Sequence, residues 1–198
     1  MAKSTIKKSV KTESPRYLLG ITGASGAMYA ARFLMHLEQM DIPVDVMISD
    51  CGQEVMAYEG HLEALQLANR IFPNDDLFAA PASGSAPYAG MAILPCSMGT
   101  LGRVAAGLSD SLLTRAADVC MKERRPLVIV PREMPLSQIH LENMLRLQRA
   151  GAIVVPASPS FYRHPQTIED LVDSVIAKVF DQLGIHHQIL APWRAGEE

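Results

Sequence analysis

Short apolar segments of strand length alternate with segments of helical periodicity along most of this 198-residue chain. This alternation limits the fold more than any other feature of the sequence. The strand-like runs mostly lack the period-two pattern of a half-exposed strand, so they predict strands buried on both faces. They are residues 17–21, 44–48, 91–94, 126–130 and 152–155. Because helical segments separate them, the sequence predicts one α/β domain with a doubly wound, Rossmann-like parallel sheet.

Capping residues mark several of the predicted helices. Ser137 precedes a helix that should reach about Ala150, and residues 167–170 resemble a capping box that opens a long helix ended by Gly184. A further helix is predicted over residues 110–122. Residues 73–90 interrupt the alternation and are rich in Pro, Ala, Ser and Gly. We interpret them as a surface loop or as a lid over a ligand.

Composition and charge exclude several classes of protein. The formal net charge of −3 gives no general attraction to nucleic acid or to an anionic membrane surface, and no apolar run approaches the roughly 18 residues that span a bilayer. Three widely spaced cysteines indicate free thiols in a reducing cytosol, without a disulfide framework or a metal site. Residues 1–15 are basic, and we expect them to form a disordered tail, with an organellar presequence as the less favoured alternative. Residues 16–198 are expected to form one domain.

Two glycine- and hydroxyl-bearing turns follow predicted strands and open predicted helices. They are residues 22–26, Thr-Gly-Ala-Ser-Gly, and residues 95–101, Pro-Cys-Ser-Met-Gly-Thr-Leu. Ligands of such sheets bind at the carboxyl ends of the strands, and free N–H groups at a helix start favour an anion. The pair suits a mononucleotide with one phosphate. The alternatives are a tight turn that needs glycine, and ordinary N-capping by Ser97. Neither a P-loop nor a GxGxxG fingerprint is present.

Charged residues flank the fourth predicted strand. Arg132 and Glu133 follow it, and Lys122 precedes it within the run Lys-Glu-Arg-Arg. A cation and a carboxylate at a strand's carboxyl end suit phosphate binding joined to proton transfer, whereas most of the basic run is equally typical of a solvated helix end. Cys96 is interpreted as a packed thiol, since no histidine is placed to activate it.

Seven segments together resemble one family. They are residues 22–27, 81–85, 96–101, 122–128, 130–133, 139–144 and 161–165. The ordered set is similar to the flavin prenyltransferases, long called 3-polyprenyl-4-hydroxybenzoate or phenylacrylic acid decarboxylases, and it runs from about Arg16 to Trp193. The resemblance implies a flavoprotein fold shared with the cysteine-peptide decarboxylases. The early catalytic His and the Pro-x-Met-Asn motif of those decarboxylases are absent here, which speaks against their activity.

The resemblance implies a specific reaction and setting. A dimethylallyl group passes from dimethylallyl phosphate to N5 and C6 of reduced FMN, without a metal, and the product is the prenylated-FMN cofactor of a partner aromatic-acid decarboxylase. It further implies a cytoplasmic dodecamer built from trimers, with sites shared between subunits. The sequence leaves open whether the product serves ubiquinone biosynthesis or detoxification of phenolic acids, and whether the donor is a monophosphate or a pyrophosphate. A direct aromatic-acid decarboxylase and a non-catalytic flavin carrier remain alternatives.

Residue roles follow from the resemblance. FMN is expected to contact Gly23, Ala24, Ser25, Ser49, Ser97, Met98, Gly99, Thr100 and Arg132. The donor is expected to contact Lys122, Arg132, Glu133, Tyr162 and Lys178, and the catalytic set is Ser25, Glu59, Lys122, Glu133 and Tyr162. Within it, Glu133 beside Ser25 is the expected acid–base pair, and Glu59 is expected near N5, where it assists proton removal.

Two positions depart from the pattern of the family, and a third, near the C-terminus, agrees with it. Leu77 stands where relatives often carry a Trp before the Pro-Ala-Ser-Gly-Ser loop, so an aromatic wall of the prenyl site is expected to be rebuilt or missing. Lys178 stands where some relatives carry Arg, and lysine lacks the bidentate fork of arginine. Trp193 resembles part of the family's closing C-terminal segment.

Overall fold

A single six-stranded sheet, with every strand parallel to its neighbours, forms the centre of the molecule. The computed structural model describes residues 14–190. The spatial order is β3-β2-β1-β4-β5-β6, which is the order of a doubly wound nucleotide-binding sheet, so the predicted fold class is confirmed. The strands are β1 Arg16–Ile21, β2 Val44–Ile48, β3 Arg70–Phe72, β4 Tyr88–Cys96, β5 Leu127–Pro131 and β6 Ile153–Val154.

Six α-helices cover the two faces of this sheet. They are α1 Ala27–Gln39, α2 Asp50–Tyr58, α3 Met98–Ala105, α4 Leu112–Lys122, α5 Gln138–Arg149 and α6 Ile168–Leu183. Helices α1 and α6 pack in one core cluster, and α3 and α4 pack in the other. In β4, Ala92 and Leu94 join the first cluster while Met91 and Ile93 join the second. Side chains alternate between faces along a strand, so burial on both faces explains the uninterrupted apolar runs.

The predicted helix boundaries agree with the observed caps. The Ser137 hydroxyl accepts a hydrogen bond from the His140 amide, and the His140 ring accepts one from the Ser137 amide, which together form a capping box. Thr167 and Asp170 form the same arrangement at the start of α6. That helix ends at Gly184, whose φ of 72° lies in the left-handed region, where glycine carries no steric penalty.

Two elements were missed by the sequence analysis. Strand β3 has three residues at the edge of the sheet, and two of them are exposed, so it carries no apolar pattern to recognise. Helix α2 buries only Gly52 and Met56 along its length, which leaves too weak a periodicity. Strand β4 is also longer than predicted, because it begins at Tyr88 and takes the end of the supposed loop. Most of the predicted tail, residues 1–13, and Trp193 lie outside the described residues.

A buried carboxylate ties the amino ends of the central strands together. Asp45 has no exposed surface. It accepts hydrogen bonds from the Tyr88 hydroxyl at 2.8 Å and from the Asn69 amide at 3.0 Å, and it pairs with Arg16 at 3.4 Å. A buried charge is tolerated only when it is paired and hydrogen-bonded in this way. Asp45 therefore has a structural role at the edge of the sheet opposite to the predicted site. Among residues 14–190, no helix is long and apolar enough to cross a membrane.

Candidate functional site

Three helix starts meet at the carboxyl edge of the sheet, where the strand order reverses between β1 and β4. Helices α1, α2 and α3 follow the adjacent strands β1, β2 and β4. The Ser49 amide donates to the Ile21 carbonyl at 3.0 Å, and the Thr22 amide donates to the Pro95 carbonyl at 3.3 Å. These bonds bring the turns after the three strands side by side. A crevice at such a reversal is the general ligand site of these folds.

A cavity of about 410 Å³ opens at this junction. Its lining includes four residues that were predicted to bind FMN, namely Gly23, Ser49, Ser97 and Thr100. Cys51, Arg103 and Thr114 also line it and were not predicted, because nothing in their local sequence distinguishes them from ordinary helix residues. A side chain at position 23 would place its Cβ 2.6 Å from that of Cys51. Glycine is thus required for the turn to approach the start of α2 so closely.

Helices α2 and α3 begin with serine caps. The Ser49 hydroxyl accepts from the Gly52 amide at 3.1 Å, and the Ser97 hydroxyl accepts from the Thr100 amide at 3.4 Å. The interpretation of Ser97 as an N-cap is therefore confirmed, and it does not conflict with ligand binding. Each cap satisfies one helix-start N–H group and leaves neighbouring N–H groups of the first turn available.

The start of α1 is occupied by a carboxylate of this chain. Glu59 follows the end of α2 and accepts hydrogen bonds from the amides of Ala27 at 2.7 Å and Gly26 at 3.0 Å, and from the Ser25 side chain. Burial acts to raise the pKa of Glu59, but the three hydrogen bonds outweigh it and lower the pKa below its ordinary value. The α1 start is therefore not free to bind a phosphate.

Arg132 connects this first turn with β5. Its side-chain Nε donates to the Ser25 carbonyl at 2.9 Å, and its amide donates to the Cys96 carbonyl at 3.3 Å. The exposed Glu133 carboxylate accepts from the Met134 amide at 3.0 Å. The structure thus gives the Ser25 hydroxyl Glu59 as its acceptor, where the sequence analysis expected Glu133. Cys96 is fully buried and its pKa is raised by burial, in agreement with a packed thiol.

Tyr162 and Lys178 line a second cavity, of about 630 Å³, between β6, α6 and the segment that follows α6. Lys178 donates to Asp181 at 2.7 Å, and the other oxygen of that carboxylate lies 3.1 Å from the His187 ring nitrogen. The Arg163 guanidinium lies 5.4 Å from the centre of the Tyr162 ring. Two of the predicted donor-binding residues therefore share one cavity, which is separate from the cavity at the helix starts.

Lys122 lies elsewhere in the protomer. It ends α4, which runs antiparallel to the strand that follows, so it lies near the start of β5 while Arg132 follows the end. The five residues of β5 separate these positions by about 16 Å. Lys122 forms an ion pair with Glu123, and a Cβ at Gly84 would lie 2.7 Å from its Nζ. Lys122 thus contacts the Pro-Ala-Ser-Gly-Ser loop.

Two further cations contact this loop. The Arg115 Nε donates to the Ala82 carbonyl at 3.3 Å, and Arg125 donates to the Gly84 carbonyl at 2.6 Å. The sequence analysis did not single out Arg115. The sequence signal that could have identified Arg115 is its position two helical turns before Lys122, which places both cations on the same face of α4. Leu77 and Phe78 precede the same loop, and the Phe78 side chain is fully exposed.

Comparison with known proteins agrees with this geometry. The Flavoprotein family model matches residues 5–180. Flavin prenyltransferase UbiX of Methanothermobacter thermautotrophicus is 46% identical over 179 residues, covering 89% of this chain and 94% of the relative. Flavin prenyltransferase UbiX of Pseudomonas aeruginosa is 47% identical over 195 residues, covering 90% and 93%.

Solved structures give the same result. AnUbiX (PadA1), crystallised with FMN and dimethylallyl pyrophosphate, superposes with a TM-score of 0.88 at 36% identity, over 92% of this chain and 99% of that one. A dodecameric FMN-dependent UbiX-like decarboxylase from Escherichia coli O157:H7 gives 0.87 at 41% identity, over 91% and 100%. The peptidyl-cysteine decarboxylase EpiD shares the fold alone, at 19% identity and a TM-score of 0.61 over 86% and 99%. With its three helix starts gathered at one edge and its relatives matched over nine-tenths of their length, the chain belongs to the flavin prenyltransferase family.

Proposed function

We propose that this flavin prenyltransferase joins the dimethylallyl group of a dimethylallyl phosphate donor to N5 and C6 of reduced FMN. The observation that carries the proposal is the junction at the carboxyl edge, where Gly23, Ser49 and Ser97 line a crevice and Arg132 bonds to the neighbouring turn that carries the Ser25–Glu59 pair. The relatives named flavin prenyltransferase support it. So does the AnUbiX complex, which holds FMN and dimethylallyl pyrophosphate.

The FMN phosphate is assigned to the start of α3. Glu59 already fills the start of α1, and α2 carries the acidic Asp50 in its first turn. Helix α3 has no acidic residue there and offers the Ser97 and Thr100 hydroxyls with the amides of Met98 and Gly99. A Cβ at Gly99 would lie 3.4 Å from the Arg103 guanidinium, so a cation is close, and it pairs with Asp110 at 3.4 Å. Anions are stabilised at such a helix start.

The flavin ring is assigned to the first turn, where Gly23, Ala24, Ser25 and Arg132 fit a flat polar edge. Bound reduced FMN would supply the nucleophilic nitrogen. The Ser25 hydroxyl donates to Glu59, whose pKa is lowered, so the carboxylate is charged at neutral pH and can take up a proton transiently. We assign to this pair the removal of a ring proton, with Ser25 passing it to Glu59.

The donor phosphate is assigned to Lys122, Arg132, Tyr162 and Lys178, with Glu133 as the proton donor. The C1–O bond breaks as the N5–C1 bond forms, phosphate leaves with the electron pair, and N5 loses its proton. Ring closure then requires that the C2=C3 double bond of the attached group take up a proton, so that C3 bonds to C6 while the C6 proton leaves to the Ser25–Glu59 pair. Cations and hydrogen-bond donors stabilise the developing anion, and a proton from Glu133 completes its departure.

One protomer does not bring these residues together. Lys122 lies near the start of β5, and Tyr162 lies in the second cavity. We therefore propose an oligomer in which neighbouring subunits complete each donor site. The relative from Escherichia coli O157:H7 is dodecameric, and we propose the same assembly here. We further propose that the enzyme works in the cytoplasm and delivers its product to an aromatic-acid decarboxylase.

The deciding experiment is anaerobic incubation of the purified protein with reduced FMN and dimethylallyl phosphate. We expect the extracted flavin to gain the mass of one dimethylallyl unit and to change its absorbance. A parallel sample with dimethylallyl pyrophosphate determines the donor, and a sample without donor is the control. Flavin recovered unchanged with both donors would overturn the proposal. Release of CO₂ from an aromatic acid by this protein alone would favour the direct decarboxylase.

A further inference from the structure

We infer that Thr22 is a positioning residue for the FMN phosphate. Its side chain is 1% exposed, so it contacts no ligand itself. Its hydroxyl donates to the Pro95 carbonyl at 2.9 Å and accepts from the Ser97 amide at 2.7 Å. It therefore joins the turn after β1 to the turn after β4, across the point where the strand order reverses. The inference rests on the proposed function, since it takes the α3 start to be the phosphate site.

These two bonds replace backbone pairing that the sheet no longer provides. The β1–β4 ladder has its last paired residues at Gly20 and Ile93. Beyond it, the Thr22 amide reaches the Pro95 carbonyl at 3.3 Å, which is long for an N–H to O hydrogen bond. The shorter hydroxyl bonds carry the connection on to Ser97. Two of the three hydrogen bonds between Thr22 and the Pro95–Ser97 turn therefore involve its hydroxyl group.

Ser97 is the residue whose placement sets the start of α3. As the N-cap it has an extended conformation, and its amide lies outside the hydrogen-bonding of the helix. Thr22 satisfies that amide, which leaves the Ser97 hydroxyl to accept from the Thr100 amide and to contact the Thr100 hydroxyl at 3.2 Å. If Thr22 lost its hydroxyl, the Ser97 amide would lose its partner, and the turn would shift to regain one. Such a shift displaces the N–H groups and hydroxyls assigned to the phosphate.

The test compares Thr22→Val, which keeps the shape and removes both bonds, with Thr22→Ser, which keeps the hydroxyl. Binding of oxidised FMN and of riboflavin is measured by quenching of flavin fluorescence, at a temperature at which every variant is folded by circular dichroism. We expect Thr22→Val to raise the Kd of FMN about tenfold, because the Ser97 amide loses its partner and the phosphate-binding turn shifts. Riboflavin lacks the phosphate, so its Kd should rise much less. Thr22→Ser should restore FMN binding.

Tyr88→Phe is the matched control. It removes a buried hydroxyl that bonds to Asp45 at 2.8 Å, in the same sheet but at the opposite edge. We expect it to lower the melting temperature and to leave the Kd of FMN unchanged. If Thr22→Val does not fold at any temperature, Thr22→Cys, of similar size and with a weaker donor and acceptor, takes its place.

Each outcome has a separate meaning. Wild-type protein that binds no FMN would contradict the proposed function itself. If the wild type binds FMN and Thr22→Val binds it equally well, the inference about Thr22 is wrong. Equal losses for FMN and riboflavin, or an equal loss in Tyr88→Phe, would also overturn it, because each would show a general structural effect in place of a local one.

Discussion

The residues assigned to the flavin and the residues assigned to the prenyl donor are held in different ways. The flavin residues lie on adjacent turns that backbone and buried hydroxyl bonds fasten to one another, and Glu59 is fixed by three donors. Apart from Arg132, the donor residues are exposed, and they lie in separate places, with Tyr162 and Lys178 in the second cavity, Lys122 near the start of β5 and Glu133 after its end. Lys122 pairs with its neighbour Glu123, Glu133 bonds to the next amide, and Lys178 pairs with Asp181 one helical turn away.

This difference indicates how the active site is built. Parallel strands bring their carboxyl ends to one edge without help from other subunits. We therefore propose that the acceptor half of the site, meaning the residues assigned to the flavin, forms within one protomer. The donor half has only local ion pairs to hold it, and exposed pairs of this kind contribute little to stability. We therefore expect the acceptor half to bind FMN independently of the donor residues, and the donor half to depend on assembly.

The largest expected effect is on the rate when Glu133 becomes Gln. The amide keeps the size of the side chain and an oxygen that can accept from Met134, so binding of FMN and of the donor should be nearly unchanged. The side chain can no longer deliver a proton, and we expect prenylation to slow by about 100-fold or more. Single-turnover flavin absorbance gives the rate, and parallel titrations give the two affinities. A near-native rate would remove Glu133 from the mechanism and leave Glu59 as the better acid–base candidate.

Lys122→Ala should weaken binding of the donor without weakening binding of FMN, which tests the separation of the two halves more directly. Because Lys122 supplies charge before and during loss of the phosphate, we expect donor affinity to fall about tenfold, with a slower rate. The Kd of FMN should stay the same, since Lys122 lies near the start of β5 and the flavin turns follow its end. Glu123→Gln, which removes the partner of Lys122 and keeps the cation, is the control. Loss of FMN binding in Lys122→Ala would contradict the separation of the halves.

Mixing the two impaired variants, at a donor concentration at which each is slow, tests whether a site is shared. Lys122→Ala and Glu133→Gln protomers are dissociated in mild denaturant, combined in equal amounts and reassembled. If each site takes its Lys122 and its Glu133 from different subunits, about a quarter of the sites carry both native residues, and activity returns to that extent. If one subunit supplies both residues, no site is complete and activity stays at the level of the separate variants, which would disprove the shared site.

The same contrast separates what could be predicted from sequence from what could not. The turn of residues 22–26 and the Ser97 cap were found because glycine and hydroxyl residues at a strand–helix junction act locally. The contact between Glu59 and the start of α1 spans 32 residues and depends on how α2 ends, which no local pattern encodes. Glu59 was reached only through the family resemblance.

The location of Lys122 shows a different limit. Lys122 and Arg132 stand ten positions apart in the sequence, and both flank one strand. A helix that precedes a strand of a parallel sheet runs antiparallel to it, so the end of the helix lies near the start of the strand. Lys122 and Arg132 were therefore predictable in principle as residues at opposite ends of β5. What the sequence does not show is how, in the proposed oligomer, a neighbouring subunit would bring a second copy of each residue to the site.

The smallest expected effect concerns the pH dependence of stability and tests how firmly the acceptor half is held. Burial acts to raise the pKa of Glu59, but hydrogen bonds from Ser25, Ala27 and Gly26 lower it overall. A carboxyl group with a lowered folded-state pKa stabilises the fold above its unfolded pKa, about 4.3 for glutamate, and this contribution is lost as the pH falls through the folded-state pKa. Glu59→Gln should therefore have a lower free energy of unfolding than wild type at pH 7. The difference between the two proteins, which is the gap measured below, should become smaller at acidic pH.

Urea unfolding of both proteins at pH 7, 5, 4 and 3.5, at one fixed protomer concentration because assembly contributes to stability, measures this gap. Glu54→Gln removes an exposed carboxylate from α2, the helix that Glu59 follows. Within residues 14–190 no hydrogen bond or ion pair joins Glu54 to α1, so this change should alter the free energy of unfolding little at pH 7. A gap between wild type and Glu59→Gln that stays constant over this range would show that the amides at the α1 start do not favour the charged carboxylate. In that case the α1 start would become available to the FMN phosphate, and the acceptor half would be less firmly built than its contacts indicate.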